Sequence, residues 1–349
     1  MQWQDWRWQL AKAQKQPAQL RRFLPRMAET AVPVGGPPLA VTPHFLSLID
    51  ADDDDDPLLR QILPTAAERE TDENDLVDPL GETAKEAAPN LIHRYPDRAL
   101  LLVTDRCAAY CRFCTRKRLV GQGPTPTSAQ LDVALAYVRE HDEVKEIILS
   151  GGDALVFDDE KLEQLLVQIR SIPSVDVVRI ASRMLTFAPM RVTPALIALL
   201  RRHATLYLMS HFNHARELDA TAVVALEALA DGGIPVMNQT VLLRGVNDNA
   251  EVLATLFRKL VQHRARPYYL HQCDLAPGNR HFRVPLPESL ALVGKLRGHL
   301  SGLCMPTFVV DIPGGAGKVP LVPDVVVDSD SGGVWLRGFD GDVARYPLD

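Results

Sequence analysis

From about residue 99 onward, short apolar runs rich in Val, Ile and Leu alternate with longer amphipathic segments, the pattern of repeated βα units. Residues 99–103, 146–150, 176–181, 206–211, 235–242 and 267–272 are expected as strands, with a seventh extended segment at 307–311. Between them, helical spacing predicts helices near 128–141, 160–170, 194–202, 220–231, 250–262 and 287–300, several opening with Ser, Thr, Asp or Asn caps. Right-handed βα crossovers build a parallel sheet or barrel whose chemistry sits at the carboxyl ends of the strands.

Residues 1–90 lack this alternation and are expected as a mainly helical extension, with a Trp/Gln/Leu-rich start and a proline-rich loop at 32–43. The acidic run at 52–56 is expected to be a solvated, self-repelling loop. The α/β core would then cover 91–320, and residues 321–349, punctuated by Pro and Gly, read as a short irregular tail. With 349 residues, 46% hydrophobic, the chain is long enough for one large α/β domain with extensions, or for two domains. A net charge of -6 argues against a nucleic-acid surface. With neither a basic-then-apolar leader nor an apolar run of the ~20 residues that cross a bilayer, a cytoplasmic protein with no membrane partner is expected. Five unevenly spaced cysteines do not make a disulfide framework.

Three of those cysteines carry the candidate chemistry. Cys107, Cys111 and Cys114 form a C-x3-C-x2-C array directly after the first strand. A cubane iron–sulfur cluster has four iron corners, so three thiolates leave one iron open to a small molecule. Structural zinc is the weaker reading, because it wants four ligands in paired spacing, although His93 could complete a set. Cys273 and Cys304, each alone in an apolar stretch, are expected in the core. Ser150-Gly151-Gly152-Asp153 closes the second strand, where paired glycines permit close backbone approach to a polar ligand. His211 ends the fourth strand and Gln239 lies in the fifth. The loop from Asp311 to Lys318 is glycine-rich without matching G-x4-G-K-S/T, so its lysine is either solvated or able to reach a carbonyl cofactor as a Schiff base.

The run from Asp105 to Arg118 around the cysteines resembles the radical S-adenosylmethionine lysine 2,3-aminomutase family. So do the Gly-Gly-Asp turn, His211-Phe212-Asn213-His214, the run Leu243 to Asp248 and the glycine-loop lysine. The likeness extends from Asp5-Trp6-Arg7-Trp8 to about Pro323. It implies a partial (β/α)6 barrel, with Cys107, Cys111 and Cys114 holding a 4Fe–4S cluster whose open iron chelates S-adenosylmethionine. His211 and Gln239 match positions that contact S-adenosylmethionine, and Gly151, Gly152 and Asp153 would support its methionine end. Lys318 matches the lysine that holds pyridoxal phosphate, with Arg94, Tyr95 and Arg98 near that cofactor. Arg116 would clamp the substrate carboxylate, and Asp274 and Asp311 match the pair that binds the distal ammonium of lysine. The implied reaction moves the α-amino group of lysine to the β-carbon through a 5′-deoxyadenosyl radical. A flavodoxin or ferredoxin would be the reductant, and a homo-oligomer is possible.

Arginine is also compatible with the aspartate pair, and a relative that makes (R)-β-lysine for elongation factor P shares most motifs. The run Thr115-Arg116-Lys117-Arg118 looks more like the classical lysine enzyme. The cysteine-rich, zinc-binding extension of longer members is not expected here, and Asn249 stands at a candidate zinc-cysteine position. Outside enzymes, the rival is an iron–sulfur electron carrier, which would need neither Lys318 nor the paired aspartates.

Overall fold

Alternating apolar residues turn the expected strands into one sheet that pairs in chain order. In the computed structural model, which describes residues 2–20, 23 and 36–348, the ten strands are β1 (Glu86–Ala88), β2 (Leu91–Tyr95), β3 (Arg98–Thr104), β4 (Glu146–Gly151), β5 (Val177–Ala181), β6 (Leu206–Ser210), β7 (Val236–Leu242), β8 (Ala265–Gln272), β9 (Thr307–Ile312) and β10 (Gly317–Pro320). Every pair from β3 to β9 is parallel, while β1, β2 and β10 add antiparallel edges. The seven expected strands are all present, to within one or two residues at each end. Residues 32–35 of the expected proline-rich loop lie outside the described residues.

The period-2 pattern decides which face each residue serves. Leu101, Leu149, Ile180 and Leu208 stand in register and are fully buried against the crossover helices. Leu100, Ile148, Arg179 and Tyr207, one residue over, point the other way into a cavity. The crossovers are the helices Ser128–Arg139, Asp159–Arg170, Pro194–Arg202, Ala220–Asp231, Ala250–Gln262 and Leu286–Leu296. Thr127, Asp158, Thr193, Asp219 and Asn249 cap five of them by accepting backbone N–H bonds. Asn249 thus serves as a helix cap. The last crossover helix stops at Leu296 rather than near residue 300, where Gly298 takes a positive φ of 75°.

Two expectations are corrected. The C-terminal segment is not irregular: β11 (Val326–Asp330), β12 (Gly333–Arg337) and β13 (Val343–Pro347) form a separate antiparallel sheet. Its Gly and Pro punctuation marks the turns between short strands rather than a loop. In the acidic run, Asp52 to Asp55 are exposed as expected, but Asp56 is fully buried. Its carboxylate caps the helix Pro57–Arg60 through Leu58 and Leu59 N–H groups and pairs with Arg216 at 2.7 Å.

The N-terminal extension is helical only in short pieces such as Trp6–Ala11, Pro43–Leu46 and Pro57–Arg60. It is nevertheless part of the core, through Trp6, Phe45, Leu58 and Ile62. No helix among the described residues is long and apolar enough to cross a membrane.

Candidate active site

The concave face of the sheet encloses a cavity of about 1060 Å³ whose wall includes the three array cysteines, the Gly-Gly-Asp turn, His211, Gln239, Arg94, Tyr95, Arg98, Arg116, Asp274, Asp311 and Lys318. Every candidate site residue in the sequence therefore reaches one space. The bland alternatives are placed elsewhere. Cys273 and Cys304 are buried core thiols, and His93 binds the Tyr137 hydroxyl at 3.0 Å, outside the cavity wall.

At the cysteine end, the loop after β3 is held by backbone. Gly152 N–H donates to Thr104 O at 2.6 Å and Asp153 N–H to Arg106 O at 2.8 Å. A Cβ on Gly152 would lie 2.3 Å from Arg106 O, so the close approach that the glycines permit is to the cysteine loop itself. The Asp153 carboxylate is spent on the N–H groups of Leu155 and Arg183. The N-terminal extension clamps the same loop from behind: Arg112 N–H donates to Gln61 O, and the buried Arg112 guanidinium forks onto Glu68 at 2.8 and 2.5 Å. Burial pushes the Cys107 thiol well above its ordinary value and Cys114 up to about 11, with the neighbouring thiols adding repulsion. Metal coordination is the interaction that makes such thiols thiolates.

His211 is a neutral imidazole, since burial and then Arg183 hold its pKa well below the ordinary value. Its Nε2 meets Asn213 Oδ1 at 3.0 Å, and its ring packs 5.7 Å from Phe113. Asn247, in the turn after β7, donates to Asn213 O and Val241 O, tying this segment to the β7 exit.

At the lysine end, Lys318 Nζ donates to Asp311 at 2.5 Å and lies 3.5 Å from His271 Nδ1. The far nitrogen of His271 meets Gln239 Oε1 at 3.1 Å, so one imidazole joins Gln239 to the lysine. Burial resists ionisation of Asp311, but His271 and Lys318 outweigh it and hold that carboxyl well below the usual range. Asp274 goes the other way, pushed up to about 6 by burial and then by Asp311. Tyr95 accepts the Lys318 backbone N–H at 2.8 Å and carries Arg98 3.8 Å above its ring. Arg94 donates to Leu80 O and approaches Asp311 at 3.9 Å. Arg116 forks onto Glu82 at 2.7 to 3.1 Å, leaving Nη1 on Ser150 Oγ at 3.2 Å. Burial opposes the Arg116 charge, and Glu82 more than restores it.

Residues 101–257 match the model of the radical SAM superfamily, and residues 293–348 match that of lysine-2,3-aminomutase. The chain is 44% identical to an L-lysine 2,3-aminomutase of Clostridium subterminale, the match covering 99% of this chain and 84% of that protein. The chain belongs to the lysine 2,3-aminomutase family. Another relative, an L-lysine 2,3-aminomutase of Bacillus subtilis, is 42% identical over 99% of this chain and 74% of its own length. A glutamate 2,3-aminomutase of Clostridioides difficile is 38% identical over 88% of this chain and 72% of its own.

Membership in this radical SAM family implies S-adenosylmethionine and a 4Fe–4S cluster, and the donor set fits the cluster. Among the described residues no three His, Cys, Asp or Glu side chains converge where one metal ion would sit. A cubane instead takes each thiolate at a separate iron corner.

Sequence reasoning missed Arg179, Arg183, His271, Glu82, Gln61 and Glu68. His271 and Arg179 lie on inward-facing strand positions, which strand parity could have found. The others belong to no motif.

Proposed function

We propose that this chain is an L-lysine 2,3-aminomutase, an isomerase that moves the α-amino group of lysine to the β-carbon using the cluster, S-adenosylmethionine and pyridoxal phosphate. The observation that carries the reading is the meeting of Asp274 and Asp311 with Lys318 in the same cavity as the three cysteines.

Pyridoxal phosphate has a suitable cradle. Lys318 offers a primary amine on the cavity wall, and Arg98, Arg179 and Tyr269 line the same cavity. With Arg94 on the same wall, three guanidiniums border the cavity, which suits a phosphate group. When bound, this cofactor supplies a carbonyl for the substrate amine and an electron sink, while the cluster with S-adenosylmethionine supplies the hydrogen-abstracting radical.

The protein's own residues bind and align. Two carboxylates in one pocket repel unless a cation lies between them. A cationic substrate side chain replaces the Lys318 ammonium at Asp311 and draws Asp274 into its ionised form. Glu82 fixes the plane of Arg116 on the cavity wall, so that its guanidinium would take the substrate carboxylate. Apolar wall residues Leu100, Ile148, Met209 and Met237 keep water from the reacting centre. An anionic side chain such as that of glutamate is repelled by the aspartate pair.

The test is anaerobic incubation of the reconstituted protein with S-adenosylmethionine, pyridoxal phosphate, dithionite and, separately, lysine, arginine and glutamate, with mass spectrometry of the products. β-Lysine alone is expected, and chiral analysis of it separates the classical enzyme from the (R)-β-lysine type. A β-arginine product would move the substrate to the guanidinium side chain. Cleavage of S-adenosylmethionine with no β-amino acid would overturn the aminomutase reading.

A further inference from the structure

Arg183, two residues beyond β5, is 7% exposed, and its side-chain nitrogens are all taken. Nε donates to His211 O at 3.1 Å, Nη2 to Gln61 Oε1 at 2.7 Å and to Glu217 Oε1 at 3.1 Å, and Nη1 to Cys111 Sγ at 2.8 Å. The guanidinium also lies 4.7 Å from the Phe187 ring centre and 5.3 Å from that of Phe113. Glu217 is itself fully buried and fixed by Gln61 Nε2 and Asn213 N–H, each at 2.7 Å. Arg183 thus presents one permanently charged donor to a cluster cysteine, with its plane set from three other sides.

We propose that Arg183 sets the reduction potential of the cluster: its guanidinium, aimed at Cys111 Sγ by Gln61 and Glu217, stabilises the reduced cluster and raises its midpoint. A one-electron donor adds one electron to the oxidised cluster, making it more negative by one charge with no bond formed or broken. A fixed cation at one sulfur stabilises that extra charge, and its burial limits screening by water. Glu217 partly offsets the effect, being the counter-charge on the far side of the same guanidinium. Arg183 is therefore a positioning and electrostatic residue, acting on the cluster through Cys111. The inference rests on the cluster reading of the three cysteines, and iron and sulfide analysis of the parent protein tests that separately.

The experiment is a dithionite redox titration of the reconstituted full-length protein, followed by the electron paramagnetic resonance signal of the reduced cluster, without lysine or pyridoxal phosphate. Arg183→Met is expected to keep the cluster and lower the midpoint. Arg183→Lys, which keeps the charge and loses the fork, is expected between Arg183→Met and the parent. Glu217→Gln is expected to raise the midpoint. Opposite signs for the two charge removals are something a merely structural role would not produce. An Arg183→Met midpoint equal to the parent's overturns the proposal, as does a Glu217→Gln midpoint that falls. Should Arg183→Met fail to hold a cluster, the Glu217→Gln result decides alone: a rise supports the proposal, and a value at or below the parent's overturns it.

Discussion

The two ends of the cavity are built differently. At the cysteine end, backbone hydrogen bonds from Gly152 and Asp153 and the buried Arg112–Glu68 fork fix the loop before any ligand arrives. At the lysine end, the contacts of the Lys318 amine are side chain to side chain, and in the proposed function Lys318 leaves Asp311 for a substrate to take its place. A rigid frame suits a cluster that is assembled once, and exchangeable ion pairs suit a substrate that enters and leaves in every cycle.

The sharpest way to separate the ends is to remove one reactive group from each. Cys111→Ser is expected to abolish both iron–sulfur binding and S-adenosylmethionine cleavage, measured by iron and sulfide content and by 5′-deoxyadenosine release. Lys318→Ala is expected to lower β-lysine formation by at least about 10²-fold, the scale of losing a positioned catalytic side chain. It should leave iron content unchanged and dithionite-driven cleavage of S-adenosylmethionine detectable. Equal loss of both activities in Lys318→Ala would break the comparison.

The frame itself is probed by Glu68→Ala, which leaves the Arg112 charge buried and unpaired. Urea unfolding should show a loss of about 3–5 kcal/mol, against little change for Lys318→Ala.

A smaller, pH-dependent effect sharpens the lysine end. Asp274 titrates at about 6 in the folded protein, above its ordinary 3.8. If, as proposed, its ionised form holds the cationic substrate, KM for lysine should rise as pH falls through 6, with kcat changed less. For stability, the raised value means the folded state binds the proton more tightly, so ionisation weakens folding as pH rises from about 4 to 6. Asp274→Asn should therefore melt higher than the parent at pH 7 and lose that advantage below about pH 4, while binding lysine more weakly at neutral pH. A parent KM that stays flat from pH 7 to 5 would remove Asp274 from substrate binding.

The order and type of the seven parallel strands and six crossovers were legible in the sequence, because a parallel sheet packed against its crossover helices needs apolar runs alternating with amphipathic helices. The motif residues at strand ends and in the glycine loop were legible too, because thiolates, a loop lysine and paired aspartates are uncommon chemistry in recognisable spacing. Asp56 and the C-terminal sheet were misread for one reason. An acidic run and a Gly/Pro-punctuated tail look solvated until a helix N-terminus or a partner strand uses their polar groups.

What the sequence by itself determined is the βα repeat and the candidate residues that the fold brings to one cavity, since periodicity and side-chain chemistry are local properties. What only the tertiary structure decided is which ordinary residues serve them. Gln61, Glu68 and Glu82 come from the N-terminal extension, and Arg183 and Glu217 from two different strand exits, yet each meets a residue far away in the chain. Burial raises the cost of any unpaired charge there, so each is held to its partner by a requirement that exists only once the chain has closed around it.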